Sequence, residues 1–115
     1  MEFAPEGRLF VAEQRGTLRV VKAGGSLATF LDISGRVNSA GERGLLWVAF
    51  DPTFSNNHYV YLYYTQRATG TTPAHNRVIR VTARGDRALV GSEKLILRLD
   101  NLSGAPKFGR LAIST

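Results

Sequence analysis

The stretch LLWVAFDPTFSNNHYVYLYYT, residues 45–65, decides the fold of this chain. Tyr59–Thr65 alternates aromatic and aliphatic residues with a period of two, which is typical of a β-strand. Leu45–Phe50 is apolar on both faces, so we predict a strand that is buried on both sides or packs between sheets. The residues between these runs, 51–57, are turn formers. We therefore predict two strands joined by a turn.

The same period of two continues on both sides of this stretch. No window predicts a helix, and glycine-containing turns separate the runs. The three upstream strands have short connections, so we expect an antiparallel meander. The further predicted strands are Arg8–Glu13, Thr17–Lys22, Ala28–Ile33, Arg77–Thr82, one within Leu89–Leu99, and Arg110–Ser114.

About eight short strands at regular spacing predict an all-β fold built from antiparallel meanders. A β-propeller blade has four strands and takes about 40–50 residues, so 115 residues correspond to about two blades. We predict one partial β-propeller unit over residues 1–115, with residues 1–40 as the first blade, 41–104 as the second and 105–115 as the start of a third. A repacked β-sandwich or barrel is the alternative.

Composition excludes several classes of site. The chain has no cysteine, which excludes disulfides, a Cys-type zinc site and a cysteine nucleophile. Its longest apolar run, Leu45–Phe50, is far shorter than the roughly 20 residues of a membrane-spanning helix, so we expect no membrane partner. No signal peptide is visible at the N-terminus. The localisation therefore stays open.

The positive charge is concentrated in the second half. Residues 67–115 carry nine basic and three acidic residues, which accounts for the whole net charge of +6. A basic surface can bind nucleic acid or another polyanion. No pattern of aromatic residues interleaved with arginine accompanies it, so we expect at most weak, nonspecific binding of nucleic acid.

Few residues suggest a catalytic or binding site. His58 and His75 are far apart, and the acidic residues form no run, so we predict no metal site. The alternating tyrosines favour sheet packing over a sugar platform. Gly41–Gly44 (GERG) precedes the most buried strand and is either a turn with a local ion pair or a ligand-facing loop.

The segment Gly41–Thr65 resembles the signature of the glucose/sorbosone dehydrogenase family. Arg8–Val21 (RLFVAEQRGTLRVV) and Asn76–Thr82 (NRVIRVT) are similar to neighbouring strands of that family. The resemblance implies a soluble quinoprotein, a six-bladed propeller that oxidises aldoses at C1 with pyrroloquinoline quinone (PQQ) and Ca²⁺. Such proteins are usually periplasmic or secreted. The chain corresponds to the N-terminal third of one.

The resemblance fails where the catalytic base should lie. The family has a His before the residues matched by Gly109–Leu111, but Pro106 or Lys107 stands there in this chain. Glu42 aligns with a position near the quinone and is the one cofactor-binding residue that the resemblance supplies. Trp47 replaces a usual Gly. We predict no catalytic residue and no metal ligand in this chain, because the main Ca²⁺ and quinone ligands would lie downstream of Thr115.

These observations predict a fragment or short relative of a quinoprotein sugar dehydrogenase. We expect it to be inactive as it stands, with no PQQ or Ca²⁺ bound, and sugar as a substrate only in the parent family. The first alternative is a non-catalytic module that self-associates as a dimer or trimer, because Leu45–Phe50 and Tyr59–Thr65 would leave large apolar faces uncovered. A polyanion binder is a weaker alternative.

Overall fold

The computed structural model describes residues 2–5, 7–22, 24–37 and 44–99. Within these residues the chain consists of antiparallel β-strands with a single short helix, which confirms the predicted all-β class. The predicted strand at Arg110–Ser114 lies outside the described residues. The elements are β1 (Glu2–Phe3), β2 (Leu9–Glu13), β3 (Thr17–Val21), β4 (Leu27–Asp32), β5 (Leu45–Phe50), α1 (Phe54–Asn57), β6 (Tyr59–Gln66), β7 (His75–Arg84), β8 (Arg87–Ala88) and β9 (Lys94–Leu99).

The first sheet has the strand order β1-β2-β3-β4, and each strand pairs with its neighbour in sequence. This is the predicted meander. Gly16 closes the turn between β2 and β3 with a φ of 113°, a left-handed conformation that glycine adopts at little cost. One face of the sheet carries the fully buried side chains of Phe10, Leu18 and Val20.

The second sheet has β5, β6 and β7 in sequence order. The outer side of β7 pairs with two short strands, β9 along Asn76–Arg80 and β8 along Ala83–Arg84. Aliphatic and aromatic side chains alternate across β6 as the sequence predicts, with Val60, Leu62 and Tyr64 fully buried on one face.

The two sheets pack face to face and share one core. The ring of Phe10 on the first sheet makes edge contacts with Phe30, at 5.1 Å between ring centres, and with Phe50 on the second sheet, at 5.0 Å. Phe50 in turn contacts Phe54, at 5.4 Å. Burying one phenylalanine contributes about 1.5–3 kcal/mol, and edge-to-face pairs add about 0.5–1.5 kcal/mol each. Aromatic packing therefore holds the two sheets together.

The connection between β5 and β6 contains a helical turn where the sequence predicts only turn residues. Phe54 is the first residue of α1 and is buried in the shared core. His58 ends the turn in the left-handed conformation, with a φ of 58°, and its N–H donates to the Phe54 carbonyl. Burial of Phe54 accounts for the extra turn, because the sequence pattern carries no information about that tertiary contact.

The predicted location of the exposed apolar surface is wrong. Within the described residues, Tyr59–Gln66 is mostly buried, and Leu45, Val48 and Ala49 of β5 are buried too. Of the seven large hydrophobic residues that are exposed in the described ranges, five lie between residues 89 and 97 instead. The reason is that the first sheet covers the core face of β5 and β6. The self-association argued from those two strands therefore loses its stated basis.

Pairs of cations face each other along β7. In the described part of the chain, Arg80 lies opposite Lys94, and Arg84 lies opposite Arg87. Like charges directly opposite each other in an antiparallel ladder destabilise it. Arg80 also stacks on Tyr59, with 4.0 Å between its guanidinium carbon and the ring centre.

We predict that Lys94→Glu stabilises the chain. The substitution turns a repulsive cross-strand pair with Arg80 into an attractive one, which should raise the free energy of unfolding by about 0.2–1 kcal/mol. Thermal unfolding measures this as a higher midpoint. Lys22→Glu changes the net charge equally at an exposed site in the connection between β3 and β4, and an equal rise there would contradict the cross-strand explanation.

Gly44 joins the two sheets through its backbone. Its carbonyl accepts from the Thr65 N–H at 3.0 Å, and the next residue, Leu45, donates its N–H to the Gln14 carbonyl at 3.1 Å. Its φ is 136°, and a Cβ atom there would collide with the Gln14 backbone. No side chain other than hydrogen fits at this position.

Gly44→Ala should therefore lower the free energy of unfolding by more than about 2 kcal/mol, because strain and collision act together. Urea unfolding provides the measurement. Gly35→Ala is the matched control, since a Cβ at Gly35 meets open space and its φ is not left-handed. A similar loss in both variants would show that Gly44 has no special role.

Candidate functional site

One end of the two sheets, which we name the loop end, is where the resemblance places the cofactor. In the described structure it consists of Gln14–Gly16, Ile33–Val37, Gly44, Gln66–Arg67 and His75. β5 begins there and β9 ends there, because successive neighbours across the sheet are antiparallel. Glu42 and the position of the missing base at residues 106–107 lie outside the described residues. Their nearest described neighbours, Gly44 and Leu99, are at the same end.

Backbone hydrogen bonds hold the loop end together across the two sheets. Val37 forms an isolated antiparallel bridge with Gln66. The Arg67 N–H donates to the Arg36 carbonyl at 2.7 Å, and the Ile33 N–H donates to the Gly16 carbonyl at 2.8 Å. These bonds fix the position at which the chain enters β5. They also hold the described part of the loop end next to Gly44, the last residue of the GERG motif.

His75 lies fully buried at the loop end, and both of its ring nitrogens are engaged. Nδ1 lies 2.9 Å from the Pro73 carbonyl, and Nε2 lies 2.9 Å from Arg77 Nε. Because the guanidinium Nε can only donate, Nε2 accepts, and Nδ1 carries the proton that it donates to Pro73. The ring nitrogens of His75 are thus not free to bind a metal or accept a substrate proton.

Arg36 links the loop end to the start of β9. Its guanidinium donates two hydrogen bonds to the Glu93 carboxylate, at 2.8 and 2.7 Å, and lies 6.0 Å from the centre of the Tyr64 ring. These hydrogen bonds lower the pKa of Glu93 and raise the pKa of Arg36. Sequence reasoning missed this pair, because the two residues are 57 positions apart and only the fold brings them together.

Neighbouring buried polar side chains also form hydrogen bonds with one another. Tyr64 donates its hydroxyl proton to Gln66 Oε1 at 2.9 Å, and Thr65 Oγ1 lies 2.8 Å from Asn76 Oδ1, to which it donates. All four side chains are buried. Buried polar groups paired in this way stabilise the fold rather than bind a ligand. The tyrosines of β6 therefore serve sheet packing, as the sequence analysis favours.

Asp51 is the most perturbed carboxylate of the described residues, and it lies at the opposite end of the sheet. Burial alone would raise its pKa, but hydrogen bonds from Asn57, Thr53 and Tyr61 outweigh burial and lower the pKa to about 2. Its Oδ1 accepts from the Thr53 N–H, the Thr53 hydroxyl and the Asn57 amide, and its Oδ2 accepts from Tyr61 at 2.8 Å. Both oxygens are used in holding the turn.

The other two residues that the sequence analysis singled out, His58 and Trp47, pack against neighbouring residues of the fold. His58 is exposed at the C-terminal end of α1, with its ring 5.5 Å from that of Phe54. Trp47 is half-buried and lies opposite Tyr63 in the β5–β6 ladder, where a bulge shifts the register between Leu45 and Trp47. The indole thus contributes to one face of the second sheet.

The described residues do not by themselves fit the quinone and its metal. Within the described ranges no three His, Cys, Asp or Glu side chains come together to hold a metal ion. At the loop end, Arg36 already binds Glu93, and Arg77 binds His75. Among all the residues that the structure describes, no helix is long and apolar enough to cross a membrane.

Comparison with known proteins identifies the class. A family model described as glucose/sorbosone dehydrogenase matches residues 1–114. The chain belongs to this family, and the resemblance seen in the sequence is confirmed.

Solved structures show the same fold. The chain is similar to a glucose dehydrogenase, with 28% identity and a TM-score of 0.68 over 84% of this chain and 30% of that one. It is also similar to the PQQ-bound aldose sugar dehydrogenase of Streptomyces coelicolor, with 26% identity and a TM-score of 0.62 over 83% of this chain and 28% of that one.

The soluble aldose sugar dehydrogenase of Escherichia coli, solved in its apo form, has 24% identity and a TM-score of 0.69 over 90% of this chain and 30% of that one. At that identity the likeness shows the fold alone. The chain spans 28–30% of the length of these three structures.

The hydrogen bonds to Asp51 predict that the free energy of unfolding falls in acid. Because the pKa of Asp51 is about 2 in the folded chain against an ordinary 3.8, the unfolded chain takes up this proton first as the pH falls. The stability that ionised Asp51 contributes is complete above roughly pH 4 and is lost as the pH falls towards about 2.

Asp51→Asn should lower the free energy of unfolding by about 1–3 kcal/mol at neutral pH, because a charged acceptor is lost. It should also flatten the decline below roughly pH 4. Urea unfolding at several pH values measures both effects. Parallel pH profiles in the two proteins would contradict this role of Asp51.

Proposed function

We propose that the chain forms a two-blade part of the scaffold of a quinone-dependent aldose dehydrogenase and does not oxidise sugars by itself. The observation that carries the proposal is the pair of sequential antiparallel sheets packed face to face, together with the match to 28–30% of the length of sugar dehydrogenase structures. On this proposal, residues 2–32 and 45–99 contain one blade each.

The family resemblance of the GERG motif supports a role for Glu42 at the cofactor end of that scaffold. Gly44 fixes the entry into β5 through its carbonyl, and the bridge between Val37 and Gln66 fixes the exit from the first sheet. The family resemblance gives Glu42 a location near PQQ, so the contribution of this chain is to position one residue of a larger site.

The missing base supports inactivity. The chain has only two histidines, His58 and His75, and neither occupies the position of the family's general base. Both have structural positions in the described fold. Lys107 is an ordinary lysine by sequence, with a reference pKa of about 10.4, and would be protonated at neutral pH. A protonated amine cannot accept the C1 hydroxyl proton.

The first test is direct. The chain is incubated with PQQ, Ca²⁺ and glucose, and reduction of an artificial electron acceptor is followed. We expect no turnover above the blank that contains free PQQ. The Streptomyces coelicolor aldose sugar dehydrogenase, which has been solved with PQQ bound, is assayed in parallel and shows that the assay works. Turnover by the chain alone would overturn the proposal.

A chimera distinguishes the proposed scaffold role of the chain from a role in catalysis. Residues 1–115 replace the aligned part of the Streptomyces coelicolor protein, and PQQ binding is measured by titration calorimetry alongside turnover. We expect the chimera to bind PQQ and to turn over slowly, and Lys107→His to raise turnover by about 10²–10⁴-fold. Lys22→His is the matched control. A chimera that folds without binding PQQ would contradict the scaffold role.

A further inference from the structure

One face of the second sheet carries several cations, towards the end opposite the loop end. Along β7, Val81 and Ala83 pack in the shared core. Successive side chains of a strand point to opposite faces, so Arg80 and Arg84 lie on the outer face of the sheet, away from the first sheet. Arg80 is half-buried and Arg84 is exposed.

The neighbouring strands add one cation opposite each of these two arginines. Lys94 of β9 is the register partner of Arg80, and Arg87 of β8 is the register partner of Arg84. Register partners in an antiparallel ladder lie on the same face of the sheet. Lys94 and Arg87 are both exposed. We name the set Arg80, Arg84, Arg87 and Lys94 the cationic face.

The acidic residues that lie near these cations are engaged elsewhere. Asp86 pairs with Arg8 at 3.0 Å, and Glu93 pairs with Arg36 at 2.7 Å. Asp51, at the same end of the sheet, is buried and uses both of its oxygens in hydrogen bonds. Among the described residues, no ion pair includes a member of the cationic face. The cations that lie opposite each other therefore repel without compensation.

The guanidinium of Arg80 is stacked on an aromatic ring of the next strand. Its central carbon lies 4.0 Å from the centre of the Tyr59 ring. Tyr59 pairs with Thr82 in the β6–β7 ladder, so it lies on the outer face next to Arg80. The sequence shows no run in which arginine and aromatic residues alternate, because Tyr59 and Arg80 are on different strands. Only the register of β6 and β7 brings them together.

We propose that the cationic face binds single-stranded nucleic acid without sequence preference. Its four cations neutralise backbone phosphates, and a base stacks on the guanidinium of Arg80, which the Tyr59 ring supports from the other side. Binding of this kind is weak at physiological salt and weakens steeply as salt rises. The phosphates also offset the repulsion within the two cation pairs.

The charge and the stacked guanidinium together select this class of ligand. Covering unpaired cations with an apolar surface is costly, so an occupant of this face carries negative charge. An acidic peptide or a sulfated polysaccharide neutralises the cations but has no aromatic face to place on Arg80. Single-stranded nucleic acid uses both features, because each nucleotide combines a phosphate with an exposed base.

The probe is a fluorescein-labelled oligothymidine of about 15 nucleotides, and its binding to the full chain is measured by fluorescence anisotropy at several salt concentrations. A matched probe has the same phosphates but no bases. We expect the oligothymidine to bind about tenfold more tightly than the abasic probe, because stacking adds to charge. The logarithm of affinity should fall against the logarithm of salt with a slope of about −3, at roughly 0.7 for each phosphate neutralised.

Two substitutions distinguish the contribution of charge from that of stacking. Arg84→Gln removes one cation, so it should reduce the slope by about 0.7 and weaken binding of both probes about fivefold at about 0.1 M salt. Lys22→Gln removes an exposed cation outside the cationic face and is the matched control, which should leave binding unchanged. Arg80→Lys keeps the charge but loses the planar guanidinium. It should weaken binding of oligothymidine about fivefold and leave binding of the abasic probe unchanged.

Melting curves check that each variant is folded. Arg84→Gln also relieves the repulsion with Arg87, so a loss of binding in this variant is not expected to come from a loss of stability. Oligothymidine should raise the melting midpoint of the unsubstituted chain, because it binds only the folded state.

Three results would overturn the proposal. Equal affinity for the two probes would show that bases take no part in binding. Tighter binding of polyglutamate, of a sulfated polysaccharide or of phosphatidylserine vesicles would assign the cationic face to another class of partner. Equal losses in Arg84→Gln and Lys22→Gln would show that net charge, rather than this face, attracts the probe. None of these measurements uses PQQ, so the outcome is independent of the proposed function.

Discussion

The structure depends on the burial of one face of each sheet against the other. Phe10 contacts Phe30 on its own sheet and Phe50 on the facing sheet, and Phe54 extends the contact into the connection between β5 and β6. Each sheet alone would leave its apolar face in water. The position of Gly44 between the two sheets follows from this packing.

Several charged and polar side chains of the described residues have their hydrogen bonds made within the fold. His75 uses both ring nitrogens, Asp51 uses both oxygens, and Arg36 uses its guanidinium on Glu93. A side chain whose hydrogen bonds are all made within the fold has none to offer a ligand without a loss of stability. Strong pKa perturbation at Asp51 therefore marks a structural turn, although such shifts often mark functional sites.

The candidate site could be predicted only in part. The GERG motif and the missing His were visible in the sequence through a family resemblance, which the family comparison confirms. The ion pairs of Arg36 with Glu93 and of Arg8 with Asp86 were not visible, because the residues of each pair are 57 and 78 positions apart. No local pattern reports a contact of that range.

The sequence by itself determined the strands and their faces. Alternation in Tyr59–Thr65 and in Arg77–Thr82 has the period of a β-strand, and that period specifies which residues share a face. The tertiary structure decided which faces are covered. The apolar residues of β6 are buried because a second sheet lies against them, whereas Leu95–Leu97 stay exposed because β9 is at the edge. Burial depends on which elements meet in space, and a strand's own sequence does not contain that information.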